Sequence, residues 1–165
     1  MTPPLRVLMV CLGNICRSPT AEAVLRQRLA VAGLADQVEV DSAGTGGWHV
    51  GAPPDSRAQL HALRRGLDLS RLRARRVVDA DFERFHLMLA MDHDNLEELR
   101  RLQPPGSPAV IRLFADTSVP DPYQGGAQAF EEVLDVVGRA SDAFVAALRE
   151  SRELPGLNPT KTVGF

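Results

Sequence analysis

The chain predicts an α/β fold, a four-stranded parallel sheet held between helices in three layers. Three observations predict it. Four short apolar runs recur along the chain, at residues 5–10 (LRVLMV), 38–40, 86–91 (HLMLAM) and 110–114. Each run has the length of a buried strand, and segments with helical apolar spacing separate them. The 165 residues are 44% hydrophobic and 24% charged, which suits one ordinary domain, placed at residues 1–150 with a flexible tail over 151–165.

Each element has a local reason. After the first run, Ser18-Pro19 followed by Glu22 reads as a helix start, with a hydroxyl N-cap, proline at the first helical position and acid in the first turn. Ala21, Val24, Leu25, Leu29 and Ala32 continue that helix at its own spacing, and Gly33 ends it. The second run passes into Ser42-Ala43-Gly44. Residues 45–54 form a Gly/Pro-punctuated loop that holds the single tryptophan, Trp48. Asp55 caps a helix that ends near Arg65 and Gly66. Residues 71–76 are a basic connector, and Asp79 opens a short helical turn before the third strand. Asp92 starts a helix with Leu96, Leu99 and Leu102 inside it, stopped by residues 103–106 (QPPG). Residues 115–126 are a loop containing Asp121-Pro122-Tyr123. The last helix, residues 127–148, sets Phe130, Val133, Leu134, Val137, Phe144, Val145 and Leu148 opposite Glu131, Glu132, Asp135, Arg139 and Asp142.

Composition excludes several classes. Thirteen glycines and 12 prolines are too few for a low-complexity chain. A net charge of −2 with a pI near 6.1 speaks against a nucleic-acid binder, which needs a basic excess. Two cysteines, Cys11 and Cys16, cannot build a disulfide scaffold or a four-thiolate metal site. His49, His61, His86 and His93 show no metal-ligand spacing, so neither metal nor cofactor is expected. The N-terminal apolar run is too short for a signal peptide or a spanning helix. The expected setting is cytoplasmic, away from membranes, with reduced thiols.

The segment from Cys11 to Ser18 carries the chemistry. It leaves the first strand and enters a helix N-terminus, the place where parallel sheets bind ligands. Backbone N–H groups in such a turn form an anion nest, and the helix adds its positive end. Gly13 permits unusual dihedrals, and Asn14 tolerates the left-handed region. Arg17 offers a planar fork to two oxygens of a phosphate. A thiol at Cys11 lies beneath that anion, where the positive field favours the thiolate. A thiolate under an anion cradle points to attack on phosphorus. Cys-x5-Arg alone is a weak pattern. The plain alternative makes Cys11 a small buried hydrophobe and Arg17 a surface charge, which leaves Gly13 and Asn14 unexplained.

With VCLGNICRSP at residues 10–19 and VPDPY at residues 119–123, the chain resembles the low-molecular-weight protein tyrosine phosphatases. SAGT at 42–45, WHVG at 48–51 and MDHDNL at 91–96 follow in the family's order, to about Leu148. The resemblance implies a flavodoxin-like sheet with the phosphate loop after the first strand. It implies Cys11 as nucleophile, forming a phosphocysteine. Arg17 and the amides of Leu12, Gly13, Asn14, Ile15, Cys16, Arg17 and Ser18 would bind the phosphoryl oxygens. Ser18 would hydrogen-bond the thiolate, and Asn14 would hold the loop's shape with Ser42 among its partners. Asp121 would protonate the leaving phenol and then activate water. Taken alone, Asp121 before a proline is an ordinary turn residue. Ile15, Trp48 and Tyr123 would wall the cleft, with core packing as the alternative for the two aromatics. Cys16 would pair reversibly with Cys11 under oxidation, or be a buried thiol. The implied partners are phosphotyrosine proteins, a tyrosine kinase among them, and the expected state is a monomer.

Relatives acting on phosphoarginine carry a small Thr where this chain has Ile15, so an aromatic substrate fits better. Two positions depart from the better-known pattern. Gln124 stands where many members have a second Tyr. Arg65-Gly66 replaces His-Gly and puts in question a hydrogen bond from that His to the loop network. The arginines at 64, 65, 71, 73, 75 and 76 are a solvated face or a dock for acidic segments. Other readings are an arginine phosphatase, an arsenate reductase and a non-catalytic phosphotyrosine-binding module. The second lacks resolving cysteines after Cys16, and the retention of Cys11 and Asp121 speaks against the third.

Overall fold

The computed structural model describes residues 3–151, so the tail expected over 151–165 lies outside the described residues except for the helical Ser151. Four parallel strands, β1 (Leu5–Cys11), β2 (Val38–Gly44), β3 (Leu87–Ala90) and β4 (Val110–Leu113), lie in the order β2-β1-β3-β4. β1 pairs with β2 from Leu5↔Val38 to Cys11↔Gly44, and with β3 from Val7↔Leu87 to Val10↔Ala90. The helices are α1 (Arg17–Val31), α2 (Ser56–Arg64), α3 (Asp81–Arg84), α4 (His93–Leu102) and α5 (Ala127–Ser151).

The alternation of β1 explains the layers. Val7, Met9 and Cys11 face a core with Leu25 and Leu29 of α1, Ala58 and Ala62 of α2, and Phe130 and Val137 of α5. Leu8 and Val10 face a second core with Phe82 of α3 and Leu96 and Leu99 of α4. Leu8, Leu25, Leu29 and Leu99 are fully buried, each stabilising the fold by about 1.5–3 kcal/mol relative to exposure. Among the described residues no helix is long and apolar enough to cross a membrane.

The sheet order reverses between β1 and β3, so the crevice opens past their carboxyl ends. Cys11 ends β1, and Asp92 follows β3 as the N-cap of α4, its carboxylate accepting from Asn95 N at 2.8 Å. One helix start differs from the sequence expectation. α1 begins at Arg17, with Cys16 as N-cap residue and no side-chain cap bond. Ser18 is therefore not the cap, and Glu22 lies beyond the first turn. The Ser18 hydroxyl turns back into the preceding loop, where Asn14 and Cys11 hold it.

Candidate active site

The loop from Cys11 to Ser18 is fixed from several sides. The carbonyls of Cys11 and Leu12 accept from Thr45 N and Gly46 N, each at 2.9 Å. The Ile15 carbonyl accepts from Asp55 N at 2.8 Å, which ties the loop to the start of α2. β2 ends in Gly44 because a Cβ there would stand 2.7 Å from the Leu12 carbonyl oxygen. Asn14 has φ 57°, alone among the described non-glycine residues in being left-handed. Its side chain makes that conformation durable. Nδ2 donates to Ser18 Oγ at 2.8 Å and to Ser42 Oγ at 3.0 Å, while Oδ1 accepts from Arg75 N at 3.0 Å. Arg65 itself turns to α5 and pairs with Glu131 at 2.8 Å and Asp135 at 3.0 Å.

Cys11 is 3% exposed, and its sulfur lies 3.0 Å from Ser18 Oγ and accepts from Asn14 N at 3.3 Å. Arg17 is equally buried, yet it is not left unpaired. One guanidinium nitrogen donates to Asp92 Oδ2 at 2.6 Å and to the Val119 carbonyl at 3.0 Å. The other lies 3.7 Å from Asp121 Oδ2. Asp92 was legible in the sequence only as a helix cap. That it also anchors Arg17 needed the fold, which carries the end of β3 beside the loop. Asp121 is half-exposed, and its Oδ1 accepts from Tyr123 N at 3.1 Å in an Asx turn that aims the carboxylate at Arg17.

Cys11, Arg17 and Asp121 line a cleft of about 300 Å³ with Leu12, Gly13, Ile15, Cys16, Trp48, His49, Tyr123 and Gln124. Trp48 is 72% exposed and Tyr123 45%, so neither packs in the core. The Trp48 ring lies over Gly46, where a Cβ would come within 1.8 Å of it. His49 is a lining residue that spacing arguments did not single out; its ring tilts against Tyr123 at 6.2 Å.

Arg57 of α2 is a second unforeseen member. It donates to the Tyr123 carbonyl at 2.9 Å, pairs with Asp55 at 3.0 Å and lies over the Phe130 ring at 4.7 Å. It therefore joins the segment carrying Asp121 to the residue that holds Ile15. Cys11 and Cys16 are both free thiols. Burial, aided by Asp55, pushes the Cys16 thiol up to about 12. Attack by Cys16 on an oxidised Cys11 requires a deprotonation that its surroundings oppose. Among the described residues no group of three or more His, Cys, Asp or Glu side chains is placed to hold a metal ion.

Comparison with known proteins agrees with this geometry. The model of the low molecular weight phosphotyrosine protein phosphatase family matches residues 6–154. A low molecular weight protein-tyrosine-phosphatase of Streptomyces coelicolor is 46% identical over 158 residues, 90% of this chain and 96% of that one. The crystal structure of a protein tyrosine phosphatase from Entamoeba histolytica superposes with a TM-score of 0.85 at 37% identity, covering 90% of this chain and 99% of that one. A Drosophila arginine phosphatase superposes with a TM-score of 0.84 at 31% identity over 89% of this chain and 99% of that one. The chain therefore belongs to the low molecular weight phosphotyrosine protein phosphatase family.

Proposed function

We propose that this chain hydrolyses phosphotyrosine in proteins through a phosphocysteine on Cys11, with Asp121 as general acid and then general base. The observation that carries the reading is the convergence of the Cys11 sulfur, Arg17 and Asp121 on one cleft, with Arg17 and Asp121 3.7 Å apart. The Cys11 thiolate attacks phosphorus as the bond to the phenol oxygen breaks, and Asp121 gives that oxygen its proton. A phenol has a pKa of about 10, so protonating the leaving group lowers the barrier substantially. Water then attacks phosphorus, Asp121 takes its proton, and the sulfur–phosphorus bond breaks. Arg17 and the amides of residues 12–18 neutralise the phosphoryl oxygens. Ser18 stabilises the departing thiolate. Asp92 holds the Arg17 fork, so little ordering entropy remains to be lost on binding.

Ile15, Trp48 and Tyr123 line a cleft that suits a flat ring on a long arm better than a short phosphoserine. The likeness to a Drosophila arginine phosphatase makes phosphoarginine the comparator, and the aliphatic Ile15 favours the aromatic substrate. On this reading a tyrosine kinase is among the substrates, the chain acts as a monomer with one catalytic domain over residues 1–150, and its location is cytoplasmic. A thiolate nucleophile needs a reducing compartment. Thiolate, guanidinium and carboxylate suffice for the chemistry without a cofactor.

The test is hydrolysis of a phosphotyrosine peptide with EDTA present, from about pH 4.5 to 8. Wild type runs beside Cys11→Ser and Asp121→Ala, with phosphoserine and phosphoarginine peptides as comparators. The expected result is preference for phosphotyrosine, no turnover by Cys11→Ser, and a loss of about 10²-fold or more in Asp121→Ala. Binding without turnover by wild type would mark a reader of phosphotyrosine. A preference for phosphoarginine would overturn the role given to Ile15.

A further inference from the structure

Glu22 is a buried carboxylate that the proposed chemistry leaves unused. It is 2% exposed and sits on the face of α1 turned toward β2. One of its oxygens pairs with Arg26 at 2.9 Å, and the other accepts from Ser42 Oγ at 2.7 Å. From there a line of hydrogen bonds runs to the nucleophile. Ser42 Oγ meets Asn14 Nδ2, Asn14 Nδ2 meets Ser18 Oγ, and Ser18 Oγ meets the Cys11 sulfur.

Counting donors gives the line a direction. An ionised carboxylate only accepts, so Ser42 spends its single proton on Glu22. The Ser42 oxygen then presents only lone pairs to Asn14. The Asn14 amide cannot flip, because its oxygen accepts from Arg75 N at 3.0 Å. Its two N–H bonds are used on Ser42 and Ser18. Ser18, already accepting from Asn14, has one proton left and one neighbour for it, the Cys11 sulfur. The line thus ends in donation to the sulfur.

We infer that Glu22 is a positioning residue for the nucleophile: by taking the Ser42 proton it leaves the Ser42 oxygen to accept from Asn14, and so, together with Arg75 N, steadies the amide whose other N–H bond leaves the Ser18 proton for the Cys11 sulfur and favours the thiolate. The inference rests on the reading of Cys11 as nucleophile. The charged groups facing Glu22 are Arg26 on its own helix, Asp41 on β2 and Arg75 on the connector. Burial raises its proton affinity above that of an ordinary glutamate, while the Ser42 bond and Arg26 oppose the rise.

The sign of one measurement separates this role from plain electrostatics. A carboxylate acting only through its charge repels the thiolate, so neutralising it would lower the pH at which Cys11 ionises. A carboxylate acting through the hydrogen bonds does the reverse. The experiment follows alkylation of Cys11 by iodoacetate against pH, read by mass spectrometry, in wild type, Glu22→Gln, Ser42→Ala and the double variant. Turnover of a phosphotyrosine peptide is measured in parallel. Glu22→Gln is expected to raise the alkylation midpoint by about half to one pH unit, and to lower kcat by about 3- to 10-fold with KM within about twofold, the scale of one hydrogen bond. Ser42→Ala changes no charge and should move the midpoint the same way. The double variant should be no worse than Ser42→Ala.

A midpoint unchanged or lowered in Glu22→Gln, or effects that add in the double variant, would overturn the inference. Should Glu22→Gln not fold, Ser42→Ala decides alone: no shift there refutes it. Cys11→Ser separates the two levels. If that variant retains turnover, the nucleophile is misassigned. If it is inactive while Glu22→Gln leaves the midpoint in place, only the role of Glu22 falls.

Discussion

Replacing Asn14 by glycine and by alanine separates the two things this residue supplies, a left-handed backbone and three hydrogen bonds. Glycine keeps the backbone and removes the bonds to Ser18, Ser42 and Arg75 N. At about 0.5–1.5 kcal/mol for each intramolecular hydrogen bond, Asn14→Gly should destabilise the protein by about 2–4 kcal/mol. Alanine removes the same bonds and adds a Cβ in the left-handed region. That adds about 1 kcal/mol, so Asn14→Ala should cost about 3–5 kcal/mol. The assay is urea denaturation of both variants followed by Trp48 fluorescence, with kcat and KM for a phosphotyrosine peptide. Both variants should lose most of kcat, because the Ser18 proton is no longer directed at Cys11. Equal stability of the two variants would refute the claim that the loop is held in a conformation needing Asn or Gly. Stability within a few tenths of wild type would refute the value given to the three bonds.

Three further outcomes follow from geometry. Asp92→Asn keeps a cap acceptor for α4 but removes the charge that holds Arg17; kcat/KM should fall about 10- to 100-fold with Tm shifted by only a few degrees, and an unchanged kcat/KM would show that the Val119 carbonyl positions Arg17 by itself. Gly46→Ala puts a methyl where the Trp48 ring now lies, so the ring must lift away; the emission of this single tryptophan should shift and KM should rise a few-fold, about 1 kcal/mol of binding, with kcat unchanged. Cys16 has an ordinary value of 9.0 and stands near 12 in the folded chain, so from pH 9 upward the unfolded chain releases a proton that the folded chain keeps. The stability that Cys16 contributes is complete below pH 9 and is lost as pH rises toward 12, at up to about 1.4 kcal/mol per pH unit. In Cys16→Ala the urea midpoint should therefore fall less steeply over that alkaline range, and identical slopes would argue against a buried, protonated thiol.

The parts of the site legible in the sequence are those that lie close together along it. A strand, a loop with Gly13 and Asn14, and a helix start fit within fifteen residues, and each residue type has a local reason to be there. Ser18 shows the limit of that reasoning. Its Ser-Pro context is that of an N-cap, but its hydroxyl is held by Asn14 and Cys11, and the helix starts two residues earlier than that context implies. The competing partners are tertiary in origin, since Asn14 is itself fixed by Ser42 and Arg75. Glu22 reads as an acid favourable to a helix start, and only the packing of α1 on β2 shows that it is buried under Ser42. Asp92 and Arg57 meet Arg17 and the Tyr123 carbonyl across 75 and 66 residues. Neither partner choice leaves a periodicity, so neither could be read before the chain was folded. Trp48 and Tyr123 were open between wall and core, and their exposure along the cleft excludes the core.

The Arg57 bridge has a consequence for how the enzyme meets its substrates. Asp55 holds the loop with Cys11, Arg57 holds the segment with Asp121, and the two are neighbours at the start of one helix. On the proposed mechanism this bridge ties the proton donor's segment to the loop that carries Cys11. A phosphoprotein bound there would spend little of its binding energy on ordering that segment. The same bracing would leave the cleft accessible to a small anion. Inorganic phosphate, the product itself, is the inhibitor such a design should be least able to avoid.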